Sequence, residues 1–306
     1  MNGILPLWKP AGWTSHDCVN WARKVFRTKK IGHAGTLDPE VTGVLPLAIG
    51  GATKILQYMD TLEKEYEAEV TIGTSTTTED QTGEMVEIKK VLTPLSRDEI
   101  NKALAQLTGA IVQIPPMYSA VKVAGKRLYE YAREGKEVER PKRTVTIYRL
   151  ELMDDKDYYD PKDGLVRFPI KIRCSKGTYI RTLAVSIGEI LGYPSHMSKL
   201  IRTESAGFTT EDCLSMEQVE ELRDTGQLDK AIRPIKSALK HLPMVEISED
   251  KAQMVRNGAV LPLAKGMENF GDRPFCLVYE EKIMAIYKLH PTKPGMMKPD
   301  RVLSLM

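Results

Sequence analysis

The sequence predicts an α+β fold, and three observations carry that reading. Tyr66, Ala68, Val70 and Ile72 alternate with Glu65, Glu67, Glu69 and Thr71, and Val166, Phe168, Ile170, Ile172 and Cys174 alternate with Arg167, Pro169, Lys171 and Arg173. A period of two is that of a strand with one face buried. Two other segments open on capping-box spacings: Thr14 and Asp17 precede an apolar stripe of Val19, Ala22, Val25 and Phe26, and Ser96 and Glu99 precede Ile100, Ala103, Leu104 and Leu107, with Gly109 as the stop. Finally, strands and helices do not alternate as a regular βαβ repeat, which favours a mixed α+β arrangement.

The remaining elements follow in chain order. Val44 to Ile49 is almost wholly apolar and reads as a buried strand. Ser175-Lys176-Gly177 turns the chain after Cys174, and Thr178 is placed as an N-cap for a helix over 179–191. Arg181 then falls in the first helical turn, where the macrodipole disfavours a cation. Two explanations stand at this point: a surface arginine paired with a nearby acid, or an anion held by the arginine and the free N–H groups of the helix start. Arg233-Pro234 marks a change of pattern. Beyond it come short apolar runs at 275–279, 283–287 and 301–303, punctuated by Pro and Gly, which suggest a small β-barrel.

Composition is that of a globular chain: 42% hydrophobic and 28% charged over 306 residues. No apolar run approaches a membrane span, and the first residues lack the basic start and long apolar core of a signal peptide. The cysteines at 18, 174, 213 and 276 are far apart and form neither a metal spacing nor a disulfide framework. A cytoplasmic protein with reduced thiols, no metal and no cofactor is expected. The net charge of +3 is unevenly spread: residues 21–30 carry five cations and no acid, residues 117–149 carry nine against four Glu, and residues 60–90 carry nine acids against three Lys. That asymmetry suggests a basic face for a polyanion and an acidic face turned elsewhere. Tyr118, Tyr129 and Tyr131 interleave the second basic segment, which tilts the expected partner towards RNA.

The segment with the most chemistry is Gly32-His33-Ala34-Gly35-Thr36-Leu37-Asp38-Pro39. Glycines hinge the loop, and Pro39 restricts Asp38 to extended backbone. A lone carboxylate there, beside a core strand, suits a catalytic group. Spacing alone equally allows a tight turn closed by an Asx hydrogen bond.

This stretch resembles the Gly-His-(Ala/Thr)-Gly-x-Leu-Asp-Pro motif of the TruB family of tRNA pseudouridine synthases. Further matches follow in the family's order: Lys9-Pro10-x-Gly12-x-Thr14-Ser15, Lys64-x-Tyr66, Gly73-x-x-Thr76-x-Thr78-x-Asp80-x-x-Gly83, Pro115-Pro116-x-Tyr118-Ser119-Ala120-x-Lys122, Ser175 through Arg181, and Leu200-x-Arg202. The chain departs at Thr77, where many members have Asp. The resemblance is close over 1–210 and looser beyond. It implies a mixed, mainly antiparallel catalytic domain of the pseudouridine synthase type over 1–238, an inserted thumb at 113–143 that clamps the T-loop, and a PUA-like RNA-binding β-barrel over 239–306.

The resemblance also implies roles. Uridine 55 of tRNA would be isomerised: the C1′–N1 bond breaks, the uracil rotates, and it rejoins through C5. Asp38 would be the nucleophile, with Arg181 as its ion-pair partner, lowering its pKa. The base must be flipped out of the RNA loop. Tyr66 would stack on it and move a proton, although alternation alone makes Tyr66 a core residue. Tyr179 and Leu200 would line the uracil pocket, and His33 would fill the space left by the base. Lys9, Lys122, Lys126 and Arg127 are expected among the substrate contacts, those of the thumb made to phosphates. The T-stem and T-loop of tRNA are the expected partner, with the protein a monomer needing no other protein and no membrane. An RNA-binding or RNA-folding protein without catalysis, a guide-RNA-dependent relative and an RNA glycosidase are the alternatives. The thumb and the bare N-terminus weigh against the second, and the Asp38, Tyr66 and Arg181 set against the first.

Overall fold

The computed structural model describes residues 1–154, 156, 158–264 and 266–303 of the chain. They form two compact units, one of residues 1–62 and 205–303, the other of 63–204.

In the first unit the strand Thr42–Ile49 is central. Gly3–Lys9 pairs with it antiparallel from Gly3 opposite Ile49 to Lys9 opposite Gly43, and Ile31–His33 pairs with its other edge. Packed on both faces, it reads as a continuous apolar run. Pro6 and Pro46 lie opposite each other in this ladder. Neither breaks it, because residues 4, 6 and 8 aim their backbone groups outwards: Ile4 exchanges bonds with Arg233, and the Pro6 carbonyl accepts from the N–H of Leu214. The helix Ser15–Val25 starts where the sequence placed it, Thr14 and Asp17 forming a reciprocal capping box, and buries Cys18, Val19, Ala22 and Val25.

Met244–Glu246, Leu261–Pro262, Phe275–Tyr279, Lys282–Leu289 and Met296–Val302 build a five-stranded sheet that curls as a half-barrel, as in a PUA-like domain. Its period-two alternation feeds two cores. Phe275, Leu277, Ala285 and Tyr287 pack with Ala252, Val255 and Met297. Cys276, Val278, Ile286 and Leu303 join Ile4, Val44, Ala48, Ala52, Ile55 and Tyr58. Tyr58 also donates its hydroxyl proton to Asp300, and Lys54 Nζ donates to the Val302 carbonyl at 2.9 Å. Residues 239–303 thus complete the core of the N-terminal strands.

In the second unit the strands lie in the order Ser195–Ser205, Lys64–Ile72, Leu165–Cys174, Arg143–Leu152, Gly109–Gln113. The two alternating segments are antiparallel neighbours, with Tyr66 opposite Ile172. Helix Arg97–Gln106 is capped by Ser96 and Glu99 as expected. Its C-cap is Leu107, and Gly109 opens the next strand at φ +102° instead of stopping the helix. Three acids on and just before Lys64–Ile72 are matched within its own sheet. Glu65 meets Arg149 at 2.9 Å and Lys171 at 3.0 Å, Glu69 meets Lys199 at 3.2 Å, and Arg173 meets Glu63 at 2.6 Å. Opposite charges on neighbouring strands stabilise the pairing, so this acidity is the sheet's own.

A chain ended after residue 238 is expected to expose Ile4, Ala48, Ile55 and Tyr58. Its melting temperature should fall by about 10 °C or more, and it should bind a hydrophobic dye. A thermal melt of the two chains side by side checks this, and equal midpoints would refute the shared core.

Candidate active site

In the first unit the carboxylate of the Gly32–Pro39 loop is braced on both sides. Ahead of it, the buried hydroxyl of Ser15 accepts from the Leu37 N–H at 2.9 Å and donates to the Leu37 carbonyl at 3.2 Å. Behind it, Lys9 Nζ donates to the carbonyls of Pro39 at 2.8 Å, Val41 at 2.7 Å and Pro10 at 2.9 Å. Between these anchors the Asp38 carbonyl accepts from the Val41 N–H at 3.1 Å, and Gly12 N–H donates to the Pro39 carbonyl at 3.0 Å. Gly35 sits at φ +82°, open to glycine. The motif Lys9-Pro10-x-Gly12-x-Thr14-Ser15 is therefore the scaffold of the Asp38 loop. Lys9, expected among the substrate contacts, is 0% exposed and holds the loop through three carbonyls. Asp38 itself is half-buried, and His33 lies opposite Leu47 at the start of the loop.

In the second unit Tyr66 is 7% exposed on the inward side of its strand. Leu200 is half-buried on Ser195–Ser205. The helix of Arg181 runs Ile180–Leu191, with Tyr179 at its N-cap position and no side-chain cap. Thr178 is not the cap, because its hydroxyl turns back to the Ser175 carbonyl at 2.8 Å. The missing cap is made from a distance: Gln113, which the sequence did not single out, accepts from the Tyr179 N–H at 3.0 Å and donates to its carbonyl at 3.1 Å.

Arg181 is no surface residue. It is 5% exposed, and its guanidinium donates to the carbonyls of Thr78 at 2.9 Å and Tyr118 at 2.8 Å, with Asp80 at 3.6 Å. Asp80 organises its hairpin, accepting from the hydroxyls of Thr78 at 2.8 Å and Thr82 at 2.6 Å and from the Thr82 N–H at 2.9 Å. At the departure from the family pattern, the Thr77 hydroxyl accepts from the Glu84 N–H at 3.1 Å.

The segment expected to be a thumb holds a short hairpin, Lys122–Val123 with Lys126–Arg127, running into the helix Leu128–Arg133, whose Leu128 is buried. Lys122 and Arg127 are exposed. Lys126 is ion-paired with Glu134 and lies over the Tyr131 ring. Tyr129 carries the guanidiniums of Arg127 and Arg133 at 5.7 and 5.3 Å from its ring centroid. A cation over the ring face is itself a favourable partner.

The family profile described as TruB family pseudouridylate synthase (N terminal domain) matches residues 23–180, and that described as tRNA pseudouridylate synthase B C-terminal domain matches 181–240. The chain belongs to the TruB family. A protein named tRNA pseudouridine synthase B from Bacillus pumilus (strain SAFR-032) is 52% identical over 306 residues, covering 99% of this chain and 98% of its own. A relative of that name from Halalkalibacterium halodurans is 51% identical with the same coverage. Among solved structures, a chain from a Cbf5-Nop10-Gar1 complex superposes with a TM-score of 0.73 at 28% identity, over 98% of this chain and 84% of that one. A chain from an H/ACA RNP bound to a substrate RNA containing 2′-deoxyuridine gives 0.72 at 25% identity, with the same shares.

Glu79 offers a test of the Arg181 surroundings. It sits at φ +64° and accepts from the Thr182 hydroxyl at 2.8 Å. Burial pushes its carboxyl above the ordinary 4.5, against the pull of the Thr182 bond and Arg181. An acid whose folded pKa is raised holds its proton more tightly when folded, so stability falls as pH climbs through the window above the unfolded value. Glu79→Gln keeps the acceptor and removes the titration. Its melting temperature should gain on the parent as pH rises above the ordinary 4.5, and parallel curves in a pH series of thermal melts would count against the assignment.

Proposed function

We propose that this chain isomerises uridine 55 in the T-loop of tRNA to pseudouridine, with Asp38 as the nucleophile. One observation carries the reading: in a chain of this family, the motif carboxylate stands on a loop fixed immediately before it by Ser15 and immediately after it by Lys9. The relatives alike over the whole chain are named tRNA pseudouridine synthase B, in agreement with it.

The chemistry makes few demands. The N1–C1′ bond breaks and a C5–C1′ bond forms. The proton leaving C5 is balanced by one gained at N1, so substrate and product are isomers and no electron leaves the pair. A carboxylate held in place stabilises the separated sugar and base. Tyr66 stacks on the flipped uracil and moves the proton. Arg181 supplies the positive charge that keeps the nucleophile ionised, Tyr179 and Leu200 flank the base, and His33 takes the space the base leaves. The flip costs a few kcal/mol, which stacking and filling of the vacated space offset. Lys122, Lys126 and Arg127 hold phosphates and position the RNA without reading its sequence. Residues 1–238 carry the chemistry and 239–306 add RNA contacts. With tRNA as substrate, the enzyme works as a monomer in the cytoplasm and needs no guide RNA or protein partner.

The deciding assay incubates the purified protein alone with an unmodified tRNA transcript and measures pseudouridine at position 55. Asp38→Asn preserves side-chain shape and removes the charge. Its turnover should fall below detection while tRNA affinity stays within about tenfold, since phosphate contacts dominate affinity. Turnover retained by the Asn variant would remove Asp38 from the mechanism.

Tyr66 separates base service from core packing. Phe keeps the ring and loses the hydroxyl, so Tyr66→Phe should bind tRNA normally and turn over slower by at least about a hundredfold, the scale of a lost proton-transfer group. Tyr66→Leu should also lose affinity, by roughly 1–3 kcal/mol of stacking. Single-turnover rates and binding isotherms for both variants settle the point, and a near-normal rate for Phe would return Tyr66 to the core.

A further inference from the structure

Gln113 closes the Gly109–Gln113 strand and Arg143 opens the Arg143–Leu152 strand, and the two are register partners. All residues between them belong to the thumb, so this pair is its root. Gln113 is 2% exposed, and a buried amide is costly unless its groups are bonded. Its Oε1 and Nε2 meet the N–H and the carbonyl of the same residue, Tyr179, which lies 66 positions along the chain. Only one orientation of the amide makes both bonds, so the donor and acceptor are fixed by chemistry. Arg143 takes the other end of the same residue: its guanidinium lies 5.3 Å from the centroid of the Tyr179 ring and donates to the Gly177 carbonyl at 3.4 Å. Two residues beyond Tyr179, Arg181 donates to the carbonyl of Tyr118, inside the thumb. The helix starting at Ile180 has no local side-chain cap. The backbone of Tyr179, at φ −99° and ψ 111°, is therefore set by the thumb root.

We propose that Gln113 and Arg143 are positioning residues that clamp Tyr179 by its backbone and its ring and so set it against the flipped base. The inference rests on the function above, in which Tyr179 flanks the uracil. It gives Arg143 a duty different from the phosphate contacts of the thumb tip. The Arg143 fork reaches the Tyr179 ring and the Gly177 carbonyl together, whereas an ammonium is a single point charge, so Arg143→Lys keeps the charge and breaks the clamp.

The test measures equilibrium tRNA binding, the single-turnover rate at saturating enzyme, and the melting temperature for Gln113→Leu, Arg143→Lys and the double variant. Each single variant should bind tRNA within about threefold of the parent and react at least about tenfold slower, because small misplacements at a reacting centre are costly. The double variant should be no more than about threefold slower than the slower single, since both act through one residue. If Gln113→Leu does not fold, Arg143→Lys decides alone: a phosphate contact would leave it at the parental rate. A folded variant reacting within threefold of the parent, a loss recovered by saturation, or losses that multiply in the double variant would each overturn the clamp. The parent chain is assayed alongside. If it forms no pseudouridine, the proposed function is what fails, and the clamp loses its catalytic meaning with it.

Discussion

A lysine ammonium shut away from water determines the shape of the loop that carries Asp38. Moving such a cation out of water costs several kcal/mol unless its protons find acceptors. Lys9 finds the carbonyls of Pro10, Pro39 and Val41, the last two being 30 and 32 residues away. Any drift of the 39–41 segment would strand a buried charge, so the loop is held by a penalty as much as by an attraction. The ladder of Gly3–Lys9 with Thr42–Ile49 delivers Lys9 to this place, opposite Gly43. Ser15, the first residue of a capped helix, fixes Leu37 from the other direction. A carboxylate between two such anchors loses little freedom on meeting a reacting atom, which is the advantage of preorganisation.

The second unit solves a related problem at Arg181. A cation in the first turn of a helix opposes the macrodipole, and burial compounds the cost. Compensation comes from two segments: the Thr78 carbonyl and Asp80 carboxylate of one hairpin, and the carbonyl of Tyr118. Asp80 can serve because its hairpin is already ordered around it by Thr78 and Thr82. The threonine-rich stretch of the motif is thus the support of a buried arginine.

What the sequence made legible was local. The capping boxes at Thr14 and Ser96, the alternation through Tyr66 and Phe168, and the apolar run to Ile49 each involve residues within a turn or a strand of one another, and each appears as expected. The motif around Asp38 marked the loop, but not what holds it. Lys9 was expected among the substrate contacts from the resemblance alone, and two of its three acceptors, the carbonyls of Pro39 and Val41, lie 30 and 32 residues away. Gln113 gave no signal, being one polar residue at a strand end whose partner is Tyr179. Thr178 has the right residue type for an N-cap, yet a competing bond to Ser175 takes its hydroxyl. Likewise the run Phe275–Tyr279 announced strands, while its division between two cores depends on partners more than 200 residues earlier.

The distribution of charge shows why a near-neutral chain can suit a polyanion. Glu63, Glu65 and Glu69 are engaged by Arg173, Arg149, Lys171 and Lys199 across neighbouring strands. Those acids and bases cancel at short range, and little of their field extends beyond a Debye length of about 8–10 Å. Lys24, Arg27, Lys29 and Lys30 stand exposed in a segment with no acid, and Lys122, Arg127, Arg133 and Lys142 stand exposed in the 113–143 segment, where bases outnumber acids. Counterion release counts the cations that reach phosphate, and a net charge of +3 averages them with acids already occupied inside a sheet. The relevant quantity is where the unneutralised cations lie, and that became readable only once the sheet showed which acids were already matched.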